Sequence, residues 1–430
     1  MTTDVQTGLA PVGRTLPNGV RTIVQHTTTH PAVTIALMLP AGSAYDAVDR
    51  LGLAHFVSRV IDRGTHRRSS AMIAEDLDDR GVTLSTGVNR HLFLLNCLCL
   101  TEDVGDILNV LADVVRNPVF PHEEVETRRG EIVTALRQDE DNPAAVASEQ
   151  LMALLYPSGH PYGRPARGSV ESVQQISRDD LIAFHRVRFF PEGLTIAVVG
   201  EVGPEDAFRL VESAFGDWRA SSNPMLIPPP APRLLGRQRR VITMTNKAQA
   251  DIAYGFAALR RRDPDYYAAL LMNNVLGQYG LGGRLGDSIR ERQGMAYYAY
   301  SSFDGNIAEG PLVIRAGVAA ENVDRTVASI DEEVERMAAD GITPGELDDA
   351  KRYMIGSMPR VLETNTGIAT FLLTAELFGL GLDYDRRLST LIEQVSLTEV
   401  NTVARRLLAA DRAALVVAGP YADRAAGSAV

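Results

Sequence analysis

The residues best placed to do chemistry lie in GLAHFVSRVIDRGT, positions 52–65, where an apolar lead-in is followed by His55, Ser58 and Arg59. On a helix, residues four apart stand one turn apart on one face. An H-x-x-E-H helix therefore brings two imidazoles to one Zn²⁺, and the Glu before the second His polarises a bound water as general base. A third ligand comes from elsewhere and a fourth position stays open. This chain instead has His55-Phe56-Val57-Ser58-Arg59. Ser58 cannot act as that base at neutral pH, and Arg59 is a permanent cation that cannot ligate zinc. From chemistry alone, His55 reads as a helix-face histidine with an ordinary partner.

The elements that hold this stretch belong to a duplicated chain. VQQISRDDL at 173–181 aligns with IEQVSLTEV at 392–400, and AVVG at 197–200 with VVAG at 416–419. TIALMLPAG at 34–42 aligns with DIAYGFAAL at 251–259. The offsets nearly agree, so two homologous domains are expected. The Pro-rich run SSNPMLIPPPAPRLLGRQRR at 221–240 cannot continue a helix or a central strand and reads as a linker. The expected division is 1–220, linker 221–240, and 241–430. Strands come in groups and helices in runs, which predicts an α+β fold: two domains, each a mainly antiparallel sheet with helices packed on it.

Composition narrows the function classes. Of 430 residues, 45% are hydrophobic and 23% charged, as in a globular protein. The net charge of -11, from 43 basic and 54 acidic residues, argues against a nucleic-acid partner. The RRR at 260–262 and EDLDD at 75–79 read as solvated faces, and Ser69 or Ser70 as a helix N-cap. Cys97 and Cys99 share one side of a strand-like run and read as small buried hydrophobes, which suits a reducing compartment. Neither a leader nor a bilayer-length apolar run is evident, so no membrane association and a cytoplasmic location are expected. GLGGRLG at 280–286 lacks the phosphate-loop pattern and reads as a turn before a helix.

The motifs in order resemble the pitrilysin/insulinase-type metallopeptidases, the inverzincins, which include mitochondrial processing peptidase. LPNGVR at 16–21, LPAGSAYD at 39–46, GLAHFVSRVIDRGT, EDNP at 140–143, HPYGRPARGSVESVQQIS at 160–177 and FHRVRFFPEGLTIAVVGEV at 184–202 carry the resemblance. It covers essentially the whole first half, and the second half matches through its own repeat. The resemblance places a further acidic ligand and a helper Glu, seven residues apart, at Ala135 and Arg128. Glu131 is nearby but one turn out of register. His55, Ser58, Arg59 and Ala135 are thus the degenerate metal-site positions, and no metal is expected in this chain.

In the second half the resemblance implies an Arg–Tyr pair, seven residues apart, that reaches a peptide at the zinc site. Arg290 and Tyr297 in RERQGMAY have that spacing. Arg can fork to a carbonyl and a Tyr hydroxyl can donate to an oxyanion. The plainer alternative is a surface ion pair for Arg290 and core packing for Tyr297. Together these imply a non-catalytic, substrate-binding subunit of a heterodimeric zinc peptidase. Its partner would be a homologous chain with an intact H-x-x-E-H and the zinc, and peptides its substrates. The alternative is an inactive structural or peptide-binding core protein.

Overall fold

The computed structural model describes residues 8–157, 159–221, 223–278 and 283–422. Part of the 280–286 turn and residues 1–7 of the N-terminal stretch lie outside the described residues. Eleven strands are present among them: β1 (Val12–Thr15), β2 (Arg21–His26), β3 (Ala32–Leu39), β4 (Thr83–Val88), β5 (Phe93–Leu100), β6 (Thr195–Gly200), β7 (Gln238–Thr243), β8 (Ala250–Ala257), β9 (Ala296–Phe303), β10 (Pro311–Val318) and β11 (Ala414–Gly419). They form a six-stranded sheet ordered β1-β2-β6-β3-β5-β4 and a five-stranded sheet ordered β7-β11-β8-β10-β9. Beyond β1 the two orders are the same. In each, one neighbouring pair is parallel, β2 with β6 and β7 with β11. The rest are antiparallel. The fold is α+β, and the duplication read from sequence is a duplication of sheet topology.

The central strands explain the layers. β6 and β11 are buried along their whole length and β3 and β8 nearly so, which requires cover on both faces of each sheet. Four helices matter to the candidate site and this cover: α1 (Leu53–Val60), α2 (His122–Glu140), α3 (Pro143–Leu155) and α4 (Asn365–Leu377). In the first sheet, Ile368, Ala369, Leu372 and Leu373 of α4 pack on Ala36, Met38, Ala197 and Val199. In the second, Ala147, Leu151 and Leu155 of α3 pack on Ala253, Ala414, Val416 and Ala418.

The compact units therefore interleave in sequence. One takes the chain up to Thr134, Pro165–Leu226 and Ser357–Ser389; the other takes Ala135–Arg164, Ile227–Gly356 and the chain from Thr390. The expected halves, 1–220 and 241–430, each lend a helical segment to the other's sheet. The physical reason is that α3 lies in the first half and α4 in the second, and each buries its apolar residues on the sheet of the other half.

Some local expectations hold. Ser69 is the N-cap, its hydroxyl accepting from Met72 N–H. Cys97 and Cys99 are free and buried, and burial pushes both thiols up, Cys99 to about 12. The RRR at 260–262 is a correction: Arg261 is buried, not solvated, because its guanidinium lies 3.9 Å from the ring centroid of Tyr266. No helix among the described residues is long and apolar enough to cross a membrane.

Candidate functional site

The start of α1 is held by Asp46, the last residue of LPAGSAYD. The buried Asp46 carboxylate accepts from the N–H of Gly52 at 2.8 Å and of Ala54 at 2.9 Å. These are orphan donors of the first helical turn, and the negative charge also suits that end of the helix. Gly52 holds φ 89°, and a Cβ there would meet the Arg167 carbonyl oxygen at 2.5 Å. Leu53, Ala54, Phe56, Val57 and Val60 face the core and fix the rotation of the helix. Asp46→Ala leaves two helix N–H groups without their acceptor. It is expected to lower stability by about 1–3 kcal/mol, read from denaturant midpoints at constant m.

That rotation settles what positions 55, 58 and 59 can do. Ser58 is buried; its hydroxyl donates back to the His55 carbonyl at 2.7 Å, and its own carbonyl accepts from the Thr86 hydroxyl at 2.7 Å. It is a structural serine with its one proton in use. His55 is half-buried. Burial, followed by the charges of Arg167 and Arg59, lowers its pKa to about 4, so the ring is neutral at pH 7. Arg59, one turn on, reaches towards α2, where its Nη2 lies 3.6 Å from Glu131 Oε2. Arg128 Nη1 donates to both oxygens of the same carboxylate, at 2.5 and 2.6 Å. Those hydrogen bonds, with the charges of Arg128, Arg59 and Arg63, hold Glu131 ionised below its usual range.

Of these positions Arg59 joins an ion-pair cluster, with Arg128 and Glu131 of α2. Ala135 lies one turn beyond Glu131 on α2 and brings no donor atom. Among the described residues no three His, Cys, Asp or Glu are grouped to hold a metal ion. A neutral imidazole, a back-bonded hydroxyl, a guanidinium and a methyl group do not fit a Zn²⁺ ligand set. By register alone Glu131 falls one turn short of the ligand position. Its i,i+3 spacing from Arg128 was the signal that it belonged to an ion pair instead.

In the second unit, Arg290 lies in the last turn of a helical segment, Gly286–Arg292, and Tyr297 stands near the start of β9. β9 is an edge strand of its sheet. Tyr297 is 83% exposed, so core packing does not explain it. Arg290 is half-buried and its Nε lies 3.7 Å from Glu291 Oε1, a weak neighbour contact. Next to it, Tyr298 turns inward. Its hydroxyl donates to Asp251 on β8, and Arg315 of β10 donates to the same oxygen at 3.1 Å.

Comparison with known proteins decides the family. Residues 21–168 match the model of insulinase, peptidase family M16, and residues 175–354 that of the peptidase M16 inactive domain. The chain belongs to the M16 peptidase family. A protein of Mycobacterium tuberculosis named as an uncharacterized zinc protease is 28% identical over 98% of this chain and 96% of its own. One so named from Bacillus subtilis is 27% identical over 94% and 97%. A probable mitochondrial-processing peptidase subunit beta of Arabidopsis thaliana is 25% identical over 95% of this chain and 78% of its own. Among solved structures, an M16 inactive domain from Pseudomonas fluorescens superimposes with TM-score 0.89 at 24% identity, over 96% of this chain and 98% of that one. A protease from Helicobacter pylori gives TM-score 0.88 at 17% identity, over 96% and 100%. These last two speak to the fold of the family.

Proposed function

We propose that this chain is the non-catalytic, peptide-holding subunit of a zinc metallopeptidase. A homologous M16 chain with an intact H-x-x-E-H would supply the zinc, and this chain would present Arg290 and Tyr297 to the scissile peptide. The observation that carries the reading is Arg59: the residue in the second-ligand position is a guanidinium directed at Glu131. The exposed Tyr297 ring supports the second part, since an exposed aromatic on an edge strand is open to a ligand. Relatives named as zinc proteases, and one as a processing-peptidase subunit, support peptides as the substrate class. A cytoplasmic location belongs to the same proposal.

The test uses the complex with the H-x-x-E-H homologue. Arg290→Ala and Tyr297→Phe are each expected to lower kcat/KM by about 10²-fold, the scale of one lost oxyanion donor. Activity unchanged in both variants would leave a structural or peptide-binding core protein as the better reading. Metal analysis of the purified lone chain is expected to find well under one zinc per chain, and tightly bound stoichiometric zinc would overturn the proposal.

A further inference from the structure

The cluster at α1 and α2 has more cationic hydrogen-bonding capacity than its carboxylates use. Glu131 is already satisfied by Arg128 at 2.5 and 2.6 Å. The 3.6 Å approach to Glu131 is the only ion pair of Arg59 among the described residues, and it is too long for a hydrogen bond. A guanidinium carries five N–H donors in a planar fork that matches a carboxylate. The Arg59 side chain is 45% exposed, so that fork opens to the surface. Arg63 lies beside it with Asp62 at 3.2 Å, and burial raises the Asp62 pKa, with Arg63, Arg128 and Arg59 opposing. The charge of Arg167 acts on His55 together with that of Arg59. The neutral His55 adds no competing charge. Glu124 and Asp62 are the other carboxylates that act on Arg128.

We propose that the position of the lost zinc site is, in this chain, an arginine cradle that binds a carboxylate of a peptide. Arg59 is the ligand-facing member and Glu131 the resident occupant of its neighbour Arg128. The choice of carboxylate over other oxyanions comes from that occupant, which shows the geometry the cradle accepts. The proposal deepens the peptide-holding reading and rests on it only in taking the ligand to be a peptide. A permanent cation here would hold the end or an acidic side chain of a peptide through paired N–H donors, with no bond made or broken.

The test is binding to the lone full-length chain, separate from any activity of a complex. The probes are an unlabelled N-acetyl peptide of about ten residues without Asp or Glu, as free acid and as C-terminal amide, and the amide with one internal Glu, each titrated by calorimetry. The free acid is expected to bind roughly 10-fold more tightly than the plain amide, the scale of a charge-assisted hydrogen bond. The internal-Glu amide separates the two carboxylate sources: tight binding there assigns a side-chain carboxylate, and weak binding assigns the chain end. Arg59→Ala and Arg59→Lys should both abolish the preference, because Lys keeps the charge and loses the fork. Glu131→Gln should strengthen carboxylate binding severalfold by freeing Arg128, an effect opposite in sign to misfolding. Equal binding of the three probes, no binding of any, or a preference that survives Arg59→Ala overturns the proposal. So does displacement of the acid by inorganic phosphate as effectively as by acetate. None of these outcomes bears on Arg290 in the complex, which the activity assay tests.

Discussion

Acidifying the chain from pH 7 to pH 4 is expected to unfold the first unit, with the transition reported by tryptophan fluorescence. Three histidines of that unit, His55, His91 and His185, have pKa values lowered from 6.5 to about 4, in each case first by burial. The His185 ring also donates through Nε2 to the Val115 carbonyl at 2.8 Å and stacks on Phe189. Each folded pKa is depressed, so in the window from about 6.5 to 4 the unfolded chain binds protons that the folded chain refuses. The stability contribution is complete above 6.5 and is lost as pH falls through the window. Each group is worth roughly 3 kcal/mol at the lower end, and three together are comparable to the whole stability of a domain. Burial raises Asp62, which offsets part of the loss because this carboxyl takes up its proton in the folded state first. The single tryptophan, Trp218, is buried in the same unit, so its emission should shift to the red in this window. His185→Gln, which can keep a donor towards Val115 but cannot charge, should reduce the proton uptake by one. A fluorescence signal flat to pH 4 would contradict the expectation.

Asp251→Ala is expected to cost about 3–5 kcal/mol, because it strands a buried cation. Asp251 on β8, Gly317 on β10 and Tyr298 on β9 lie in register across three strands. At Gly317 a Cβ would meet the Tyr298 ring at 2.6 Å; without one, the ring crosses the middle strand and its hydroxyl reaches Asp251. Arg315, whose side chain is 14% exposed, shares that carboxylate. It also donates to the Ser148 hydroxyl and, at 2.8 Å, to the Ala144 carbonyl, both on α3. One carboxylate thus ties three strands together, and Arg315 extends the tie to α3. Tyr298→Phe removes a single donor and should cost about 1 kcal/mol. Equilibrium denaturation of both variants checks the ranking. A loss under 1 kcal/mol for Asp251→Ala would show the network to be a weak tie. Because Tyr297 is the next residue along β9, the same variant should also blunt whatever Tyr297 does.

The duplication was legible because two apolar strands with their Gly turns recur at nearly one offset, and the sheet orders bear that out. α1 was legible too, from its apolar spacing. What α1 positions was only half legible. That Ser58 and Arg59 cannot ligate a metal follows from residue type, but the meeting of Arg59 and Glu131 depends on how two helices cross, which no spacing within either encodes. β9 carries tyrosines on both of its faces, so alternation could not say whether Tyr297 or Tyr298 points outward. Arg261 looked solvated because its cover, Tyr266, comes from the next helix. The apolar content of α3 and α4 predicted burial, yet periodicity names a buried face and never the sheet that buries it.

The exchange of α3 and α4 has a consequence for how the chain can be cut. Each repeat sends an equivalent helix to complete the other's sheet, a reciprocal domain swap held within one polypeptide. Neither half expressed alone can bury its own central strands, so each should be insoluble or should pair with a second copy of itself. Co-expressed as two fragments split within the proline-rich segment, they should find each other and restore the native fold. The same arrangement makes folding wait for the last third of the chain, since the first sheet lacks its α4 cover until residues 365–377 have been made.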